Sequence, residues 1–232
     1  MQNVVAAIID LPPTAQKRPG RRFVSYWTKP PIVFSKESHS LKPLPKAPIA
    51  LDRRVQRTRE ALRVAMMSLM VERGWDGVDV QSLCELANVG RSTFYLHFTN
   101  KEELLAASFT DLHVALRAQA ARSEPVPGQL AFVAGLVAHV HEAQELFRAL
   151  LGRRSGQYVQ DRFRALLVEM VRAELPVARS RAWASLAQAH YLGGALFELL
   201  AWWLGSNRPH KPEEVAALFH QWSGPSLNSA SS

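Results

Sequence analysis

Cysteine is almost missing from this chain: Cys84 is the single one in 232 residues. That excludes a disulfide framework and suits a reducing compartment. Its place on the inward side of a short apolar-periodic segment reads as a buried structural thiol. Gly-rich phosphate loops, Cys/His pairs at zinc spacing and internal repeats are also lacking. No nucleophile–base pair stands out, so neither catalysis nor a cofactor is expected. The run HVHEAQE at 139–145 touches on metal chemistry, but His139 and His141 are two apart and point opposite ways on a helix. His141 and Glu145 share a face, yet two ligands make no site and the HExxH spacing is absent, so no metal is expected. Long apolar runs are scarce. Residues 182–205 approach the roughly 20 that span a bilayer, but Gln188, His190 and Glu198 interrupt them. A charge near the centre of a span is costly, so a buried interface helix is expected instead. Residues 4–11 are apolar but short, carry Asp10 and lack the basic start of a secretory signal. The expectation is a cytoplasmic protein without a membrane partner.

Acidic residues are the minority, 20 against 28 Lys and Arg, for a net charge of +8. Residues 1–51 carry eight Lys/Arg against two Asp/Glu, a local +6 of that total. A basic arm favours a polyanion. The arm also holds Pro12, Pro13, Pro19, Pro30, Pro31, Pro43, Pro45 and Pro48, which exclude a long helix. It reads as largely disordered, with 22–27 (RFVSYW) as a short strand without a partner. Two origins stay open: a tether to DNA, or a start codon placed too far upstream.

Everything after Asp52 reads as helix. Residues 53–73 place Leu62, Ala65, Met66, Leu69 and Met70 on one stripe. The leading turns carry Arg53, Arg54, Arg57, Arg59 and Arg63, either a solvated face or a phosphate contact. Residues 79–98 read as two short helices and a tight turn. Val80, Leu83, Cys84, Leu86 and Ala87 recur at helical spacing, and Asp79 caps them. Asn88 and Gly90 suit the turn, because both tolerate conformations that other residues avoid. The second helix opens at Arg91. Phe94, His97 and Phe98 share an inward face, whereas Ser92, Thr93, Tyr95 and Leu96 point mostly away. A short helix that leads with Arg, Ser, Thr and Tyr fits a DNA major groove. Asn100 and Glu103 form a capping box for the next helix, which continues to about Arg122. Lys101 at its first position is ill-matched to the helix dipole, unless a phosphate lies across it. Pro125–Gly128 ends that helix. Further helices are expected over 129–141, 142–151, 158–175, 181–204 and 212–222, with a fraying tail after them.

The stretch 79–101 resembles the helix-turn-helix of the TetR family of bacterial transcription regulators. Gly74, Trp75 and Asp76, then Leu83, Ala87 and Val89, then Arg91, Thr93, Phe94, Tyr95, His97, Phe98 and Lys101 carry the likeness. It extends upstream through 59–73 and downstream to about Ala107. Asp79 departs from the family's usual Thr or Ser, and its charge would repel a nearby phosphate. Asn88 stands for a common Gly, and Gly90 for a common Ser.

The resemblance implies an all-α fold. A helix-turn-helix DNA-binding domain over 52–112 precedes a regulatory and dimerisation domain over 113–222, with a tail over 223–232. It also implies a homodimer, a duplex DNA operator and a small-molecule effector. For DNA we single out Gln81, Arg91, Ser92, Thr93, Tyr95, Leu96, His97 and Lys101. Arg91 is the first candidate for reading a base, followed by Gln81 and Thr93. Tyr95 and Lys101 are candidates for phosphate. The implied effector pocket would draw on Phe132, His139, Phe147, Tyr158, Trp183 and Tyr191, although aromatics at helical spacing belong to cores more often. The run 196–204, LFELLAWWL, is apolar all round and must be buried all round. With 212–222 it points to a four-helix-bundle interface using Leu196, Leu200, Trp203, Phe219 and Trp222. Gly193 and Gly194 would admit a close helix. A ligand-responsive repressor is the expected function. The alternative is a co-regulator of this fold acting through protein partners, towards which the charge of Asp79 leans.

Overall fold

The computed structural model describes residues 47–152, 156–175, 182–206 and 210–228, which form nine α-helices and no strand. The expectations for the arm over residues 1–46 lie outside the described residues. α1 (Ala47–Arg73) begins earlier than the sequence signals suggest. Its stripe of Leu62, Ala65, Met66, Leu69 and Met70 is buried as periodicity requires. α2 (Val80–Ala87) and α3 (Arg91–His97) follow, then α4 (Lys101–Ala120). The second half holds α5 (Phe132–Glu142), α6 (Gln144–Leu151), α7 (Gly156–Glu174), α8 (Ala182–Gly205) and α9 (Pro212–Asn228).

One hydrophobic cluster runs through all of it. Phe163 of α7 meets Phe109 of α4 at 5.8 Å, Phe147 of α6 at 5.6 Å and Phe197 of α8 at 6.2 Å between ring centroids. Phe163 is fully buried, and truncating such a residue costs about 3–5 kcal/mol. α1 packs on α2, α4 and α6, so the first three helices stand on the second half through more than α4 alone. α7 and α8 lie close together because Gly193 has no side chain. A Cβ there would stand 2.9 Å from Val168 Cγ2 and 3.0 Å from the Val168 nitrogen. Gly193 therefore permits a close approach, but within one chain. A Cβ on Gly194 would meet nothing.

Two caps come from a distance. The Glu174 carboxylate accepts from Ala131 N at 2.6 Å and Phe132 N at 3.2 Å, closing the start of α5. Burial pushes its pKa up, and those two hydrogen bonds pull the other way. At the other end of the chain, α9 does not stop at Trp222. It continues through Gly224 and Pro225 to Asn228, which corrects the expected tail. Proline removes one donor, but this turn has other holds. Gln188 Nε2 donates to Ser226 O at 2.6 Å and Leu227 packs against the core.

Candidate nucleic-acid interface

Local sequence builds the reading head. Asp79 Oδ1 accepts from Ser82 N at 2.8 Å and Oδ2 from the Ser82 hydroxyl at 2.9 Å. These bonds, led by the backbone one, hold the Asp79 carboxyl below its ordinary pKa. α2 ends at Asn88, which adopts φ 53 and ψ 49, the left-handed region where Asn is tolerated. Gly90 then takes an extended conformation and opens α3 without a side-chain cap. Phe94 and Phe98 are buried, and their rings are 6.0 Å apart. Cys84 is buried on the inner face of α2, and burial raises its thiol pKa.

That burial decides what α3 presents. Arg91, Ser92, Tyr95 and Leu96 are exposed, Leu96 by 82%. Thr93 and His97 are half-buried, and His97 leans on the Phe98 ring. Arg91 Nη2 donates to Gln81 Oε1 at 2.6 Å, and Gln81 Nε2 donates to Glu85 Oε1 at 2.9 Å. A three-residue relay thus ties the first residue of α3 to the outer face of α2. It borders an open hollow of about 550 Å³. Glu85 was not among the residues read from the sequence. Its i+4 spacing from Gln81 was the available signal.

Lys101 is placed differently from expectation. Its Nζ donates to Trp75 O at 3.1 Å and Val78 O at 2.8 Å, and lies 4.4 Å from the Trp75 ring centroid. The ammonium satisfies carbonyls of the α1–α2 loop instead of pointing into solvent, so the mismatch with the helix dipole needs no phosphate. The capping box does form: Asn100 Oδ1 accepts from Glu103 N at 2.8 Å, and Glu103 Oε2 accepts from Thr99 N at 2.6 Å. The arginines of α1 divide. Arg63 pairs with Glu60 and with Asp111 of α4, and Arg59 lies over the Phe98 ring at 5.0 Å. Arg53, Arg54 and Arg57 are exposed.

Residues 62–108 match the family model of bacterial regulatory proteins of the tetR family. The chain is also similar to YxbF of Bacillus subtilis, an uncharacterized HTH-type transcriptional regulator. The two are 27% identical over 183 residues, which cover 74% of this chain and 46% of that one. The chain spans about half the length of the curated relative it matches. A TetR transcriptional regulator from Streptococcus agalactiae shares the fold at a TM-score of 0.55 and 27% identity. That match covers 75% of this chain and 98% of the other. Together these matches support a TetR-family regulator. NalD of Pseudomonas aeruginosa, the secondary repressor of the MexAB-OprM multidrug efflux pump, aligns at a TM-score of 0.51. It is 21% identical, with 75% of this chain and 97% of that one covered. At that identity the likeness shows the fold alone.

The six residues expected around an effector do not converge. Phe132 and Phe147 are fully buried core side chains. His139 packs edge-on to Phe147 at 5.7 Å, and burial pushes its pKa down to about 4. Tyr158 stacks on Trp75 of the DNA-binding half, whereas Trp183 and Tyr191 are exposed. The interface residues need a similar correction. Leu196 and Leu200 have no exposed surface, and Phe219 is buried as well, because these positions of α8 and α9 fill the chain's own core. Trp203 is also enclosed, stacking on His141 at 5.8 Å and donating to His210 O at 3.1 Å. Trp222 alone of the five faces out, 65% exposed, joined by Tyr191 at 68% and Trp202 at 54%. They rim an apolar groove of about 350 Å³ between α8 and α9, with Ala195, Leu199 and Leu218 along it. Among the described residues no helix is long and apolar enough to cross a membrane.

Proposed function

We propose that this chain is a cytoplasmic, homodimeric, sequence-specific DNA-binding regulator of transcription that acts as a ligand-responsive repressor. The exposed face of α3 carries the proposal. Arg91, Ser92, Tyr95 and Leu96 stand outward on a helix whose opposite face is fixed in the core. Such a face offers a guanidinium for guanine, hydroxyls for phosphate or base, and an apolar side chain for a thymine methyl. Gln81 adds an amide beside Arg91, and Thr93 and His97 flank the face. The co-regulator alternative leaned on the charge of Asp79. That charge has an internal role as the cap of α2, which favours direct DNA reading.

The groove rimmed by Tyr191, Trp202 and Trp222 is the surface we assign to a second copy. Large apolar side chains clustered on one face mark an interaction site. A dimer made there sets two heads at the spacing of successive major grooves. A small molecule taken up by residues 113–222 would change that spacing and shift the binding equilibrium. The test is selection from a random duplex pool by the purified chain, followed by footprinting. A near-palindromic site bound by a dimer is the expected result. Recovery of no enriched sequence would overturn the DNA reading and favour protein partners.

A further inference from the structure

Among the surfaces and clusters outside the reading face, the packing around Trp75 carries an inference of its own. Trp75 belongs to the loop between α1 and α2 and is 5% exposed. Its ring stacks on Tyr158 of α7 with centroids 5.6 Å apart and planes 18° from parallel. Lys101 of α4 lies over the same indole and also takes the carbonyls of Trp75 and Val78. An ammonium has three donors and is attracted to an indole face, so this one is fully engaged. Val78 N donates to Trp75 O at 3.1 Å, which closes the loop onto the same carbonyl. The next residue, Asp79, caps α2.

α7 begins in a way that fits this contact. Gly156 has φ +70, and a Cβ there would lie 3.3 Å from Trp75 Cδ1. Any other residue would strain the backbone and press on the indole. α7 in turn packs on α8, one wall of the groove assigned above to a second copy.

We infer that Tyr158 is a positioning residue for the DNA-reading head, acting through the Trp75 indole and the Lys101 ammonium. This rests on the DNA-binding reading of α3. Tyr158 touches no base. It fixes where the head stands on the regulatory body, and a dimer must present both heads in register with the duplex to read a paired site. A head loosened at Trp75 still attracts phosphate, so sequence-specific binding should suffer more than non-specific binding.

The experiment uses the full chain with Tyr158→Phe, Tyr158→Ala and Lys101→Met. Amide hydrogen exchange at Val78 is read without DNA. Binding is titrated against a duplex selected by the wild-type protein and a mixed-sequence duplex of equal length. Tyr158→Phe keeps the ring and should match wild type in every measurement. Tyr158→Ala should speed Val78 exchange about tenfold, weaken the selected duplex about tenfold and change the mixed duplex by less than about twofold. Unchanged exchange at Val78 in Tyr158→Ala overturns the inference. So does equal weakening of both duplexes, or a Tyr158→Phe protein as poor as Tyr158→Ala. Should Tyr158→Ala fail to fold, Lys101→Met, which removes the other contact on the indole, is read by the same criteria. A wild-type protein that selects no duplex overturns the DNA reading instead, and Val78 exchange then still decides whether Tyr158 holds the loop.

Discussion

Arg91 donates to the Gln81 side-chain oxygen at 2.6 Å, so the first residue of α3 is held by the exposed face of α2. Gln81 is itself held by Glu85. A guanidinium has five donors in a fixed fork. One donor on Gln81 leaves enough for a bidentate contact with guanine O6 and N7, so Arg91 need not let go of α2 in order to read a base.

Arg91→Ala should therefore cost about 1–3 kcal/mol of operator affinity and relax preference at one base position per half-site. Gln81→Ala should cost less, because it frees the guanidinium without removing it. Titration against the selected duplex and its single-base variants checks both. An equal loss on every sequence would make Arg91 a phosphate anchor.

The head was legible because its signals are local. Asp79, Asn88, Gly90 and Asn100 each mark a helix end within a few residues of the partner they serve. The carbonyl partners of Lys101 were not legible, because Trp75 and Val78 lie 26 and 23 residues back. The end of α9 was misread for a related reason. Gly224 and Pro225 look like a stop, but Gln188 on another helix secures the turn that contains them. The inward face of α8 was illegible on different grounds: a helix apolar on nearly every side has no periodicity to orient it. Leu196 and Leu200 face the core, and Tyr191, Leu199 and Trp202 line the groove.

That orientation predicts opposite outcomes for neighbouring positions. Trp202→Glu should give a folded monomer, since the side chain is half-exposed. Leu196→Glu should lose the fold, since an unpaired charge would enter the core. Sedimentation with far-UV circular dichroism distinguishes the two. A dimeric Trp202→Glu protein, or a wild-type monomer at micromolar concentration, would move the interface elsewhere.

His139 predicts a pH dependence. Its folded pKa is about 4 against an ordinary 6.5, because burial disfavours the charged ring. The unfolded chain gains a proton as pH falls through 6.5, whereas the folded chain resists until about 4. Stability from this group is thus present above pH 6.5 and is lost as pH falls towards 4, by up to about 3 kcal/mol. In denaturant titrations between these pH values, wild type should lose stability towards low pH that His139→Leu keeps. Parallel curves would show that other groups govern acid sensitivity.

Glu174 supplies a cap that no nearby residue provides. Glu174→Ala should destabilise the protein by about 0.5–2 kcal/mol, the usual loss for a helix cap. Glu174→Gln keeps one acceptor oxygen and should recover part of it. Chemical unfolding gives both values. An Ala variant as stable as wild type would mean that water satisfies Ala131 and Phe132 equally well.

The groove between α8 and α9 is pinned at both ends. Gln188 grips Ser226 at one end, and Trp203 holds the His210 carbonyl at the other, where Arg148 Nε also donates to Leu204 O at 3.1 Å. The two helices therefore have little freedom to splay before anything covers them. Conformational entropy already lost on folding is not lost again on association. A second copy would meet a rigid, preorganised surface, and docking there would proceed with almost no backbone rearrangement.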